Sequence, residues 1–313
     1  MADTFTPNKA MITSAFVQEF HKGWEIATQQ KESRLVQCVT NRGKVTGASF
    51  TINDLGSIEM QKRTTRFADT TWQLPEAGTR ICPLVDFDVY LPIEPLDLPK
   101  LIANPQGQYM QLMVNANNRA KDDAVYRGLL DDITRKNEAN GTLVATKLSN
   151  VASQVIAAGT GAAGIFTLEK LMQVRAIFRA NEADEMNGEE LFIAYNAVML
   201  QQLLANDKLT SSDYTTVKAL QAGKMNDTFM GFTWIPFERL DKTPGTSGGA
   251  DTYQTVAWAK SGAHFGTGID YNTDVGPRRD KSNTIQLSAN TSFGCGRANE
   301  KKVVQIGFLS KGA

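Results

Sequence analysis

Histidine is almost absent from this 313-residue chain: His21 and His264 stand in unrelated segments without neighbouring cysteines, so no zinc-binding spacing can be written. Cysteine is nearly as scarce. Cys38, Cys82 and Cys295 are far apart and odd in number, which argues against a disulfide framework and suits free thiols in a reducing compartment. There is no excess of either charge, since 33 basic residues face 33 acidic ones, so no global field draws the chain to nucleic acid or to an anionic membrane. No apolar run reaches the length of a membrane span, and the opening MADTFTPNKAMITSAF lacks a basic stretch followed by a long apolar one. The expectation is a protein made in the cytoplasm, without a membrane segment or secretion signal. No Walker A sequence and no GxSxG elbow occur, and the serine of GTSGG at 245–249 has no helix after it. Asp86 and Asp88 share a strand face beside Arg80, which reads as an ion-paired edge rather than a metal site. These absences lead to the expectation of a chain that is not an enzyme, with no catalytic, metal or cofactor residues.

What is present begins with a long helix, expected from Asn104 to about Arg135. Asn104 can cap it, Pro105 suits the first helical position, and Gly141 follows as a stop. Tyr109, Leu112, Met113, Ala116, Ala120 and Ala124 recur at three- and four-residue steps and form an apolar stripe that requires a sheet to cover. Asp123 with Arg127, Arg127 with Asp131, and Asp131 with Arg135 are spaced to pair along a solvated face. At about 1.5 Å per residue such a helix is a beam of roughly 45 Å, long against the usual three turns.

Ahead of the beam, Phe16, Phe20, Trp24 and Ala27 recur at helical spacing. They describe an amphipathic N-terminal helix whose aromatic stripe must dock on the chain's own body or on another subunit. From Gly43 to about Tyr90 the pattern turns to strands at Ala48–Ile52, Ile58–Phe67 and Ile81–Tyr90, a long two-stranded excursion too polar in its middle to fold alone. Within it Lys62, Arg63 and Arg66 form a basic cluster with Trp72 following, which reads as a docking patch. After the beam, Gly159, Gly161 and Gly164 spell GxGxxG behind an apolar run. A dinucleotide site would need a helix beginning at the glycines and an acidic residue closing a second strand; instead Thr167 caps the next helix and the acids follow that helix directly. The glycines read as a hinge.

The remaining pattern alternates: helix Thr167–Ala180, strand Leu191–Tyr195, helix Ala197–Ala205, a short helix after Ser211 and Ser212, then strand runs Phe229–Leu240 and Tyr253–Lys260. Thr284–Leu287 and Val303–Phe308 are strands expected to close the sheet beneath the beam.

An amphipathic arm, a long polar hairpin, a beam helix, a small-residue hinge, an inserted α/β domain and returning terminal strands, in that order, resemble the major capsid proteins of tailed bacteriophages with the Hong Kong 97-type fold. SRLVQCVTNRGKVTGASFTINDLGSIE and FADTTWQLPEAGTRICPLVDFDVYLPIEP carry the likeness at the level of phrases. The resemblance implies an α+β fold with an N-terminal arm at 1–42, an extended loop (β-hairpin) at 43–82, a peripheral domain with its spine helix (104–135) at 83–160 and 277–313, and an axial domain at 161–276. It implies a virion shell protein that self-assembles into hexamers and pentamers around double-stranded DNA in the host cytoplasm, with a portal protein as partner and room for a decoration protein. Some ten polar residues before the first helix leave no space for a fused scaffold, so a separate scaffolding protein is expected. Packaged DNA would be met without sequence preference by residues such as Lys31, Arg34 or Lys44. Crosslinking of the family's kind is not carried over, because its residues have no match here.

Subunit contacts are assigned to Phe16, Phe20 and Trp24 and to the basic cluster Lys62, Arg63 and Arg66 facing Asp122, Asp123, Asp131 and Asp132 of a neighbouring beam. The alternatives are an encapsulin-like nanocompartment shell, which shares the fold, and a nucleotide-binding enzyme built on Gly159, Gly161 and Gly164.

Overall fold

The computed structural model describes residues 27–66, 69–70, 72–93, 106–159, 164–205, 228–245 and 249–311. Phe16, Phe20, Trp24, Gly161 and the short helix expected after Ser212 lie outside them. In chain order the elements are β1 (Thr40–Lys44), β2 (Ser49–Leu55), β3 (Ala77–Pro83), β4 (Val85–Ile93), α1 (Gln106–Leu130), β5 (Ile133–Asn137), β6 (Leu143–Thr146), β7 (Val155–Ile156), α2 (Leu168–Ala180), β8 (Leu191–Tyr195), α3 (Ala197–Leu204), β9 (Thr233–Pro236), β10 (Asp241–Thr243), β11 (Thr252–Ala259), β12 (Ala263–Arg278), β13 (Thr284–Arg297) and β14 (Val303–Leu309). They form an α+β fold of three sheets, ordered β1-β12-β13-β4, β7-β14-β11-β8-β9 with β10 on β11, and β2-β3-β5-β6.

By contacts the chain divides into two compact units. One gathers Met1–Glu32, Asp86–Arg119 and Ile269–Thr291; the other gathers Ser33–Val85, Ala120–Gly268 and Ser292–Ala313. In the first unit two members of the expected apolar stripe, Tyr109 and Met113, find a sheet. Tyr109, Met110 and Met113 of α1 pack with Val89, Leu91 and Ile93 of β4, Tyr271 of β12, and Ile285, Leu287 and Ala289 of β13.

In the second unit α2 buries Leu171, Val174 and Phe178, three- and four-residue steps that make one face, and α3 buries Met199 and Leu203. Asn196 caps α3 by accepting from Met199 N at 2.9 Å, as its residue type favours. Trp234 and Trp258 are the largest fully buried side chains, and Trp258 Nε1 donates to Cys38 O at 2.8 Å, which satisfies its polar end.

Three expectations are corrected. The beam ends at Leu130, not Arg135, because Ile133 already enters β5, where Arg135 pairs with Asp54 and Glu76. The two terminal strands do not close one sheet: β13 lies between β12 and β4, whereas β14 is inserted between β7 and β11, and its burial on both faces suits a central strand. No strand forms over 58–66 among the described residues. The polar strands β1, β5 and β12 were not foreseen individually, since TNRGK and ITRKN show little apolar alternation.

Candidate functional site

The β2–β3 hairpin is the candidate, and its two ends differ. At the base Phe50, Ile52 and Cys82 point inward with Ile133 of β5. On the same face Arg80 is buried and sits in a charge network. Its Nε donates to Asp54 Oδ2 at 3.1 Å, and its other nitrogens donate to both carboxylate oxygens of Glu300, one at 2.6 Å. Arg135 adds Asp54 Oδ2 at 2.9 Å and Glu76 Oε1 at 2.9 Å. Arg297, fully buried, donates to the carbonyls of Leu129, Asp131 and Thr146 and lies 3.7 Å from Glu300. Asp86 and Asp88 are thus not the partners of Arg80. Burial alone would raise the Glu300 carboxyl, but the hydrogen bonds and charge of Arg80 override it and hold that carboxyl below its ordinary value. Gly78 makes the geometry possible: a Cβ there would stand 2.5 Å from Asp54 Oδ1 and 2.6 Å from the Arg135 guanidinium.

Beyond Leu55 and Ala77 the hairpin changes character. Described residues 56–66 and 72–76 are exposed and lack regular structure, yet they carry Ile58, Met60, Trp72 and Leu74, the last two 87% and 89% exposed. Single exposed apolar residues are ordinary; here four lie on one short excursion. Lys62, Arg63 and Arg66 are exposed beside them, and Arg63 Nε donates locally to Thr65 O at 3.1 Å. Sequence reasoning found the cations and Trp72 but missed Ile58, Met60 and Leu74 as a set. The signal was available in the alternation of Ser57-Ile58-Glu59-Met60-Gln61 and Trp72-Gln73-Leu74.

The four aspartates expected to face that cluster are not equivalent. Asp122 is fully buried and serves its own chain, accepting from Ser33 Oγ at 2.6 Å and from the backbone N–H groups of Arg34 and Leu35 at 3.0 and 3.1 Å. That placement removes it from any outward acidic patch. Asp123 is paired with Arg239 at 2.6 Å, and Asp131 lies 3.8 Å from Arg127. Asp132, just past α1, is exposed.

At the glycine connection, a Cβ on Gly159 would meet nothing within 4 Å, whereas Gly164 has φ +67° and lies against Leu309 and the Ala158 carbonyl. Only the second position demands glycine. The buried Lys170 ammonium donates to Ala158 O at 2.9 Å, Gly164 O at 3.0 Å and Gly307 O at 2.8 Å, and burial pushes its pKa down to about 8. Lys170 thus ties the carbonyls of Ala158, Gly164 and Gly307 together, while Gly159 keeps open space around it. Among the described residues no cluster of metal-ligating side chains occurs, and no helix is long and apolar enough to cross a membrane.

A family model described as phage capsid protein matches residues 12–310. No curated protein matches by sequence. Solved structures share the fold at low identity. The chain is similar to a cyanophage Pam1 capsid subunit (TM-score 0.69, 11% identity, all of both chains covered) and to a Mycobacterium phage Che8 chain (TM-score 0.66, 14% identity, 95% of this chain and 98% of that one). It is also similar to a capsid chain of a native GTA particle (TM-score 0.64, 11% identity, 98% and 99% covered).

Proposed function

The chain belongs to the phage capsid protein family and is a major capsid shell protein, and we propose that its copies are joined through the exposed end of the β2–β3 hairpin. The supporting observation is that excursion itself, apolar and basic together on a segment its own chain leaves in solvent. Apolar area supplies the association energy, while Lys62, Arg63 and Arg66 steer the encounter toward an acidic surface on the adjacent copy. With Asp122 internal, Asp123, Asp131 and Asp132 are the acidic group in question. Exposed pairs contribute only about 0–1 kcal/mol each, so the three cations act as a set.

K62E/R63E/R66E tests this reading. The triple variant gives a folded, soluble subunit with unchanged circular dichroism and no particles, and lysines at Asp131 and Asp132 restore particles in part. Normal particles from the triple variant, or an unfolded subunit, would end the proposal.

The finer organisation belongs to the same proposal. Hexamers and pentamers close an icosahedral head in the host cytoplasm around double-stranded DNA, with separate scaffolding and portal proteins and a place for a decoration protein. Segments 1–42 and 43–82 act as arm and extended loop, with Phe16, Phe20 and Trp24 of the arm covering a neighbour. Residues 83–160 and 277–313 act as the peripheral domain and 161–276 as the axial domain. The connection with Gly159, Gly161 and Gly164 takes up the change of angle when the shell matures, and Gly159 is the member with open space around it.

A further inference from the structure

Little backbone holds β1 to its sheet. It lies at the edge of the order β1-β12-β13-β4 and pairs in parallel with β12, through Thr40↔His264, Asn41↔Phe265 and Lys44↔Thr267, with a slip between Asn41 and Lys44. Gly43, at φ +72°, takes up the slip. Four of the five residues of TNRGK are exposed and the fifth is half-buried, so no apolar burial fastens the strand. Its start is anchored: Thr40 Oγ1 donates to Lys260 O at 3.2 Å, and Cys38 O, just ahead, takes the Trp258 indole N–H. Beyond its end Val45 N donates to Thr267 O at 2.8 Å. Between these anchors one side-chain contact crosses to β12: Arg42 Nε donates to His264 Nδ1 at 2.9 Å.

That bond sets the proton on the ring. Nδ1 accepts, so the imidazole is neutral, with its hydrogen on Nε2. Arginine does not give up its proton, so a proton added at Nδ1 would turn an acceptor into a second donor facing a cation. Nothing around the half-buried ring compensates. Burial holds the imidazole below its ordinary value, and so do the charges of Arg42 and of Lys302, which comes from the turn ahead of β14. The carboxylates of this corner are engaged elsewhere. Glu189 accepts from Lys302 at 2.6 Å and from Ser261, and Glu190 accepts from Lys260 at 2.7 Å.

We infer that Arg42 and His264 form an acid-operated latch on β1: the neutral imidazole pins the strand to β12, and a proton taken from solvent at Nδ1 breaks the pin and repels Arg42. The sign follows from linkage. In the open strand the ring meets water and has its ordinary pKa of about 6.5, whereas in the pinned strand the value is lower. The pin is therefore at full strength above about pH 6.5 and is lost as pH falls through the pinned value. Opening is local, because the anchors at Cys38 and Thr40 and the pairing of β12 with β13 do not use the ring. It frees the entry to the β2–β3 hairpin, since β1 leads into β2 through residues 45–48.

Proton resonance and hydrogen exchange on the free, full-length subunit test the latch. The chain has two histidines, so the ring signal of His264 is identified by its loss in His264→Gln. It should titrate below about 6.5 in the parent and move upward in Arg42→Met, which removes a cation from beside it. Between about pH 7.5 and pH 5 the amides of residues 41–45, corrected for intrinsic rate, should lose protection at least about three-fold, while those of β13 hold theirs. In His264→Gln the amide oxygen accepts from Arg42 at either pH, so β1 should stay protected at both. A His264 that titrates at or above about 6.5 would overturn the latch, because pinning would then cost the proton nothing. An equal loss of β1 protection in parent and His264→Gln would assign it to other groups and overturn the latch as well. Should His264→Gln fail to fold, the parent decides: protection that falls as His264 takes up its proton supports the latch, and protection that stays constant overturns it.

Discussion

The two ends of one hairpin obey opposite rules. At the base, inward positions of β2 and β3 are filled by Phe50, Ile52 and Cys82, and the charges there are paired by Arg80, Arg135, Asp54 and Glu300. Toward the tip, positions of the same parity hold Ile58, Met60, Trp72 and Leu74 in solvent. The pattern of side chains is continuous, but at the base it meets the chain's own body and toward the tip it meets solvent. A subunit that must fold before it assembles benefits from such a division. The base supplies a fixed platform, and the apolar side chains Ile58, Met60, Trp72 and Leu74 toward the tip stay in solvent.

The sharpest way to break this contrast is at the base. Arg80→Met leaves Asp54 and Glu300 without their principal cation in a largely buried site, and removing one partner of such a pair costs about 3–5 kcal/mol. Urea denaturation of the free subunit measures it; a loss below about 1 kcal/mol would mean that the network is ornamental. Gly78→Ala is the next largest. The methyl group would press on Asp54 and Arg135, side chains with some room to yield, for a cost of about 1–3 kcal/mol by the same assay.

Acid titration gives a smaller effect with a defined sign. The Glu300 carboxyl is held below its unfolded value, so its stabilisation is complete above the unfolded pKa of about 4.3 and is lost as pH falls through the folded value. Glu189 is shifted the same way: burial opposes ionisation, but the hydrogen bonds from Lys302 and Ser261 prevail. Glu300→Gln should flatten the decline in subunit stability below about pH 4.3 and leave the neutral-pH slope unchanged. An identical acid limb in parent and variant would assign acid lability elsewhere. At the tip the expected effect on the free subunit is smallest. M60S/W72S should alter its stability by no more than about 0.5 kcal/mol, as exposed substitutions do, while particle yield collapses. A large loss of subunit stability would place these side chains in the chain's own core.

Much of the organisation was legible because it is written in local pattern. The limits of β8 were read directly from LFIAY, α2 from Thr167 at its N-cap position and its apolar spacing, and the body of the beam from its helical periodicity. The errors arose where long-range pairing overrides local preference. Helix-compatible Asp131–Arg135 was expected to prolong the beam, but Arg135 is drawn into a sheet by Asp54, a residue distant in sequence. The runs β13 and β14 look alike in sequence, and nothing in VVQIGF specifies that it enters between β7 and β11. Asp122 carries no sequence mark distinguishing it from Asp123. Its burial follows from the unpaired N–H groups at Arg34 and Leu35 that it satisfies. The functional end was half legible: its cations stood out by charge, while its apolar members were hidden by a polar average over the excursion.

Hydrogen exchange of the hairpin amides, compared between free subunits and assembled particles, tests the division of labour most directly. Amides within β2 and β3 should be slow in both states. Those of Ile58, Met60, Trp72 and Leu74 should exchange freely in the subunit and become protected in the particle. Unchanged, rapid exchange at these four amides in particles, or protection already complete in the free subunit, would contradict a hairpin folded at one end by its own chain and at the other by assembly.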